Sequence, residues 1–139
     1  MSTRLVTFVL DRGLYGVDVT AVREVLRGLP TTRVPLAPAG LAGLVNLRGE
    51  VLATVDLRQR LGLPPREEDA EPMLVVTHGR SESDALLVDR IGEVVDVGDL
   101  PLLPPPETLD GPARPLIVGC YPLPDQLLLA LDVEHLAPA

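Results

Sequence analysis

The feature that most constrains this chain is a pattern that occurs twice. Leu5 and Leu74 open similar apolar runs, and Val22-Arg23-Glu24-Val25 returns as Ile91-Gly92-Glu93-Val94, in both cases 69 residues further on. A second echo has a spacing of 76: Val51 to Val55 followed by Asp56-Leu57-Arg58-Gln59-Arg60-Leu61 matches Leu127 to Leu131 followed by Asp132-Val133-Glu134-His135-Leu136. The difference of seven places extra residues in the long loop of the second copy. An internal duplication, roughly 5–63 and 73–137 within a single 1–139 domain, accounts for both spacings.

Within each copy the signals are mostly those of short strands. Leu5 to Leu10 is rich in β-branched residues, and Asp11-Arg12-Gly13 turns it into Tyr15 to Val19, a hairpin. Val22, Val25 and Leu26 fall at helical spacing after Thr20 as N-cap, which predicts a helical turn or short helix closed by Gly28 and Pro30. Prolines at 35 and 38 mark a loop, and Ala39 to Leu47 fits either a strand or a short helix. Val51 to Val55 reads as a buried strand, and Leu57 to Leu61 as a short helix that Gly62 and Pro64 stop. Met73 to Thr77 and Ala85 to Val88 form the second hairpin. Tyr121-Pro122-Leu123-Pro124 is excluded from a central strand because its prolines lack ladder donors.

About five short strands per copy predict two small closed β-barrels with short helices, a mainly β fold. Each copy of about 65 residues has too little core to stand alone, so the two are expected to share an apolar seam, with a groove between them. The pattern leaves open whether the copies exchange strands. Only Phe8, Tyr15 and Tyr121 are aromatic, so the core must be aliphatic.

Charge and chemistry narrow the function. A formal net charge of −8, with no lysine, disfavours nucleic acid and anionic membrane surfaces and favours protein partners. The N-terminus lacks the pattern of a signal peptide and no apolar run reaches the length of a membrane span, so a cytoplasmic location is expected. Cys120 is the only cysteine, and neither His78 nor His135 has neighbours at metal-ligand spacing. Ser81 and Ser83 lie outside any nucleophile elbow, and the glycines fit no phosphate loop. Asp56 and Asp132 form a matched pair, the best case for an aspartate-dependent hydrolase, but each is followed by the residues of a capped helix and not by an Asp-Thr-Gly turn. No enzyme and no cofactor are expected. What remains is charge beside apolar surface, in Val22-Arg23-Glu24-Val25 and in Asn46-Leu47-Arg48-Gly49.

These residues carry a family resemblance. Leu5 to Leu10, Tyr15-Gly16-Val17-Asp18-Val19, Val22-Arg23-Glu24-Val25, Pro35, Gly43-Leu44-Val45-Asn46-Leu47-Arg48-Gly49 and Val55-Asp56-Leu57-Arg58 resemble, in order, the CheW family of chemosensory adaptors. Leu87 to Val94 and Leu127 to Leu136 resemble its central and final segments. The resemblance implies two SH3-like β-barrels packed together, no enzymatic activity, and a scaffold that couples methyl-accepting chemoreceptor cytoplasmic tips to the regulatory domain of a CheA-type histidine kinase. Other copies of the adaptor in array rings are further implied partners, and a pilus, gliding or other non-flagellar pathway is an alternative output. By the same resemblance Val22, Glu24, Gly43, Arg48 and Gly49 are the expected protein-binding residues. Glu24 and Arg48 are expected to face one another within about 8 Å, one physiological Debye length. The chain departs from the family pattern at Ala53, where a proline is common, in the acidic stretch Arg80-Ser-Glu-Ser-Asp, and in its ending at Ala137-Pro138-Ala139. The 139 residues leave no room for the kinase's other domains or for a receiver, so a stand-alone adaptor is expected.

Overall fold

A computed structural model describes residues 3–27, 31–37, 40–67, 70–78, 83–107, 109 and 111–136. Among these residues ten strands run β1 (Arg4–Leu10), β2 (Gly13–Asp18), β3 (Val22–Arg27), β4 (Leu41–Leu47), β5 (Glu50–Asp56), β6 (Met73–His78), β7 (Ser83–Val88), β8 (Arg90–Asp96), β9 (Ile117–Pro122) and β10 (Leu127–Leu131). An α-helix, α1, spans Leu57–Arg60, and 3-10 turns cover Val19–Ala21, Gly111–Leu116 and Val133–His135.

The strands form two five-stranded sheets, in the orders β8-β1-β2-β10-β9 and β3-β6-β7-β5-β4. Each sheet therefore takes strands from both halves of the chain. Moving every strand five places along the chain converts one order into the other, and the registers follow. Leu5 pairs with Asp18 in the first hairpin, and Leu74 with Leu87, each 69 residues on, in the second. Val6 pairs with Val94 and, reciprocally, Val75 with Val25. The parallel contact Leu129 to Tyr15 repeats as Ala53 to Asp84. The sheets are open: no ladder joins β8 to β9 or β3 to β4 among the described residues.

Residues 22–27 form an edge strand, not the helix expected from Val22, Val25 and Leu26. Val22, Glu24 and Leu26 are half-buried while Arg23, Val25 and Arg27 are exposed, the period of two that a strand imposes. β6 offers this segment an apolar ladder partner, and that tertiary pairing overrides a helical spacing only three residues strong. The cap before it is Asp18, which accepts the Thr20 backbone N–H at 2.9 Å, so Thr20 is not the N-cap. The expected stop at Gly28 and Pro30, the turn at 79–82, Pro38, Ala39 and the terminal 137–139 lie outside the described residues. Ala39 to Leu47 resolves into strand from Leu41 onward. β9 lies at a sheet edge with Pro122 as its last residue, where a missing donor costs little.

The largest apolar cluster spans both sheets: Phe8, Leu10 and Val17 of one meet Val55, Val75, Leu86 and Val88 of the other, with Leu57, Leu131 and Leu136 closing the ends. Each such side chain contributes about 1.5–3 kcal/mol by leaving water. Smaller clusters fill the separate interiors, Val45, Leu52, Leu74 and Val76 in one and Leu5, Val97 and Leu128 in the other. The longer second loop folds its Gly111–Leu116 turn inward, burying Ala113 and Leu116 in the shared cluster.

Candidate functional site

The Asn46-Leu47-Arg48-Gly49 motif is the tip of the β4–β5 hairpin. Leu47 pairs with Glu50, which leaves Arg48 and Gly49 as a two-residue loop, and both have positive φ, +52° and +90°. That is the type I′ geometry whose twist matches the flanking strands. Asn46 braces it, its side-chain oxygen accepting the Gly49 backbone N–H at 2.8 Å. The Arg48 side chain is thereby aimed from a fixed turn.

Its target lies on the opposite edge of the same sheet. The register of β3 against β6 shifts between Val22 and Glu24, a bulge that strengthens local twist, and the curled sheet brings β3 to the hairpin tip. Arg48 Nη2 sits 2.5 Å from Glu24 Oε2, so the two expected residues do face one another. Arg23 Nε lies 3.8 Å from the same carboxylate, and Arg23 Nη1 reaches Glu50 Oε1 at 2.8 Å and Ser83 Oγ at 3.3 Å. The result is a row of alternating charge, Arg48, Glu24, Arg23, Glu50, laid across the gap between β3 and the β4–β5 hairpin. Side chains bridge the gap that no backbone ladder closes. Val25 and Val51, each beside a member of the row in sequence, are exposed.

Of the other expected site residues, Val22 is half-buried against the shared core and serves as a wall of that core. Gly43 lies five residues before Arg48 along the hairpin and belongs to a different contact. A Cβ there would stand 2.3 Å from the Thr32 carbonyl oxygen, and Thr32 exchanges two 2.8 Å backbone hydrogen bonds with Leu44. Gly43 thus lets residues 31–32 lie flat on β4. The structure gathers Glu24, Arg48 and Gly49, and adds Arg23, Glu50 and Ser83, which were not among the expected protein-binding residues.

A second ion cluster clasps the sheets together. Arg58 on α1 holds Asp89, in the β7–β8 turn, through Nη2 to Oδ2 at 2.6 Å and Nε to Oδ1 at 2.9 Å, and donates to the Pro64 carbonyl at 2.8 Å. Asp89 also accepts the backbone N–H of Asp11 at 2.9 Å. Burial alone would raise the Asp89 pKa, but hydrogen bonds from Arg58 and Asp11 and the charges of Arg58 and Arg66 outweigh it and hold the carboxyl below its usual range. The Arg58 guanidinium is pushed the other way, chiefly by its hydrogen bond to Asp89.

The matched aspartates are helix caps. Asp56 accepts the Arg58 N–H at 3.0 Å and Asp132 accepts the Glu134 N–H at 3.1 Å. Asp56 further meets Arg66 at 3.4 Å, and Asp132 meets His135 Nδ1 at 2.6 Å. Each carboxylate is spent on its own cap and its own basic neighbour, the opposite of two acids sharing a proton. Among the described residues no helix is long and apolar enough to cross a membrane.

Comparison with known proteins agrees with this geometry. The model of the CheW-like domain family matches residues 4–139. The probable chemotaxis protein CheW of Rhizobium etli is 30% identical over 132 residues, 95% of this chain and 85% of that protein. The chemotaxis protein CheW of Rhizobium meliloti is 29% identical over 135 residues, 97% of this chain and 87% of its own length. Among solved structures, the scaffolding protein TtCheW from Thermoanaerobacter tengcongensis superposes with a TM-score of 0.86 at 26% identity, covering 100% of this chain and 90% of that one.

Proposed function

The chain belongs to the CheW family, and we propose that it is a non-enzymatic scaffold which joins the cytoplasmic tips of methyl-accepting chemoreceptors to the regulatory domain of a CheA-type histidine kinase. Further copies in the array rings are additional partners. The observation that carries this reading is the charge row of Arg48, Glu24, Arg23 and Glu50 between the exposed Val25 and Val51. Exposed pairs of this kind add little to stability, about 0–1 kcal/mol each. Their value lies in holding side chains of fixed sign beside apolar surface, the combination that selects a complementary protein face and rejects wrong ones. Glu24, Arg48 and Gly49 form this face, and Val22 and Gly43 support it from the core and from β4. The protein acts from the cytoplasm and reaches the membrane only through its partners.

Co-sedimentation with the cognate kinase and a receptor cytoplasmic fragment tests the reading. Wild type joins the assembly at micromolar concentration, and Arg48→Ala or Glu24→Ala reduces its recovery at least about tenfold while the protein stays folded. If folded wild type joins neither partner, the scaffold reading is wrong. If both variants join as well as wild type, the assigned face is wrong.

A further inference from the structure

The row of Arg48, Glu24, Arg23 and Glu50 alternates cation, anion, cation, anion. From its other end it runs anion, cation, anion, cation, so two such rows laid antiparallel set opposite charges against each other at all four positions. Arg48 of one copy meets Glu50 of the next, Glu24 meets Arg23, and each contact occurs twice. That is the self-complementarity of a two-fold interface, in which residue i touches j and j touches i. The order cation, anion, anion, cation would set like against like in the same arrangement.

Within one chain the row uses only part of each charged group. Arg48 donates through Nη2 and Arg23 through Nη1, while Glu24 accepts at Oε2 and Glu50 at Oε1. Among the described residues Arg48 Nη1, Arg23 Nη2, Glu24 Oε1 and Glu50 Oε2 have no hydrogen-bond partner, and all four side chains are partly open to solvent. Each therefore keeps an oxygen or a guanidinium edge for a second ionic contact. The Asn46 brace fixes the turn under Arg48, so little conformational freedom is lost on docking. Val25 and Val51 bring exposed apolar surface to the same contact. Beyond the row, the strands of this sheet carry Arg27, Asp56 and Asp84. Asp56 stands at the far end of β5 beside Arg66, and Arg27 and Asp84 are opposite in sign, so none of them tips the balance. The net charge of −8 repels two copies at long range, but ions screen it beyond about 8 Å at physiological ionic strength, whereas the paired groups touch.

We propose that this face also binds a second copy of the chain, as an isologous pair whose two-fold axis crosses the row between Glu24 and Arg23. The contact is small, so the pair is weak and reversible. An isologous contact closes at two copies and cannot extend a ring. The pair covers the face that scaffolding uses, and the copies must separate before either joins a partner. That consequence rests on the scaffold reading, whereas the pairing itself does not.

Sedimentation equilibrium of the full chain at pH 7 follows the pair, with thermal unfolding alongside to show that each variant folds. Wild type dimerises with a Kd between about 1 μM and 1 mM, and Arg48→Gln, which by symmetry removes two of the four contacts, raises it at least about tenfold. Arg48→Glu and Glu50→Arg each stay monomeric alone, since like charges then meet, but their equimolar mixture dimerises as wild type does. Arg48→Glu mixed with Glu24→Arg does not, because these two changes do not face each other across the axis. Should a reversed variant unfold, Arg48→Gln set against wild type decides alone. Wild type that is monomeric up to about 1 mM, or two mixtures that behave alike, would refute the pairing. If such a monomeric wild type still joins the kinase regulatory domain and the receptor fragment in co-sedimentation, the scaffold reading stands without the pair. If wild type pairs as expected and joins neither, the pair stands and the scaffold reading falls.

Discussion

Gly43→Ala separates a residue that builds the site from one that forms its surface. The new methyl would sit 2.3 Å from the Thr32 carbonyl oxygen and 2.7 Å from the Thr31 Cγ2, so the backbone of 31–32 must leave β4. Two 2.8 Å hydrogen bonds between Thr32 and Leu44 go with it, at about 1 kcal/mol each. The backbone at φ +153° adds about 1–2 kcal/mol of strain for a residue with a Cβ. Against this, alanine restricts the unfolded chain and returns about 0.5–1 kcal/mol. The net loss is about 3 kcal/mol, or about 10 °C in Tm for a domain of this size. Gly49→Ala is the control, since nothing lies within 4 Å of its Cβ position and only the strain of φ +90° remains, about 1 kcal/mol. Urea unfolding followed by far-ultraviolet circular dichroism measures both, the chain having no tryptophan to report by fluorescence. A Gly43→Ala loss no larger than that of Gly49→Ala would refute the steric argument. Binding at the Glu24–Arg48 end by Gly43→Ala, corrected for its folded fraction, should match wild type, because the hairpin tip makes no contact with residues 31–32.

Other outcomes follow from the ion clusters and the topology. Exchanging the charges of Glu24 and Arg48 shifts Tm by no more than a few degrees, because Arg48 is well exposed, yet it disrupts partner binding. The check is thermal unfolding set beside co-sedimentation. Asp89 has a folded pKa below its unfolded value, so its contribution is fully present above about pH 4, the ordinary aspartate range, and is lost as pH falls through the lower folded pKa. Asp89→Asn therefore lowers Tm at pH 7, and the gap from wild type narrows toward pH 3 in a Tm series. Fragments 1–66 and 67–139 each fail to unfold cooperatively alone, whereas their mixture recovers β-sheet circular dichroism, since both sheets draw strands from both fragments. Cooperative unfolding by either fragment alone would contradict that dependence.

Much of this architecture is written in the spacing of residues, and the part that is not has a definite cause. Alternation shows that Leu5 to Leu10 is a strand, but it does not say which strand lies beside it. Val25 and Val94 stand 69 residues apart at matching positions, so β1 could complete its ladder with either β3 or β8 without disturbing the apolar pattern. The choice of β8 is a tertiary fact, with Val6 opposite Val94. The helix expected at 22–26 failed for a related reason: three apolar residues at helical spacing are too few to outweigh an edge that β6 leaves open. Glu24 and Arg48 were legible because each sits in a compact motif, whereas Arg23 with Glu50, and Arg58 with Asp89, meet across 27 and 31 residues only once the sheets curl and pack.

The exchange of strands also bears on what the site is made of. Every charged member of the row belongs to the first half of the chain, Arg23 and Glu24 on β3, Arg48 and Glu50 at the β4–β5 hairpin. Yet β3 touches neither β4 nor β5 in the ladder; β6 and β7, both from the second half, stand between them. The width and curl of those two strands set the distance that Arg48 must span to reach Glu24. A shift of one residue between β6 and β7 would carry β3 with one strand or the β4–β5 hairpin with the other, turning it to the opposite face and leaving Glu24 or Arg48 pointing away. The second half therefore acts on the binding face without supplying a charge to it, and substitutions in the β6–β7 hairpin that preserve folding but alter its twist are expected to weaken partner binding as the loss of Arg48 does.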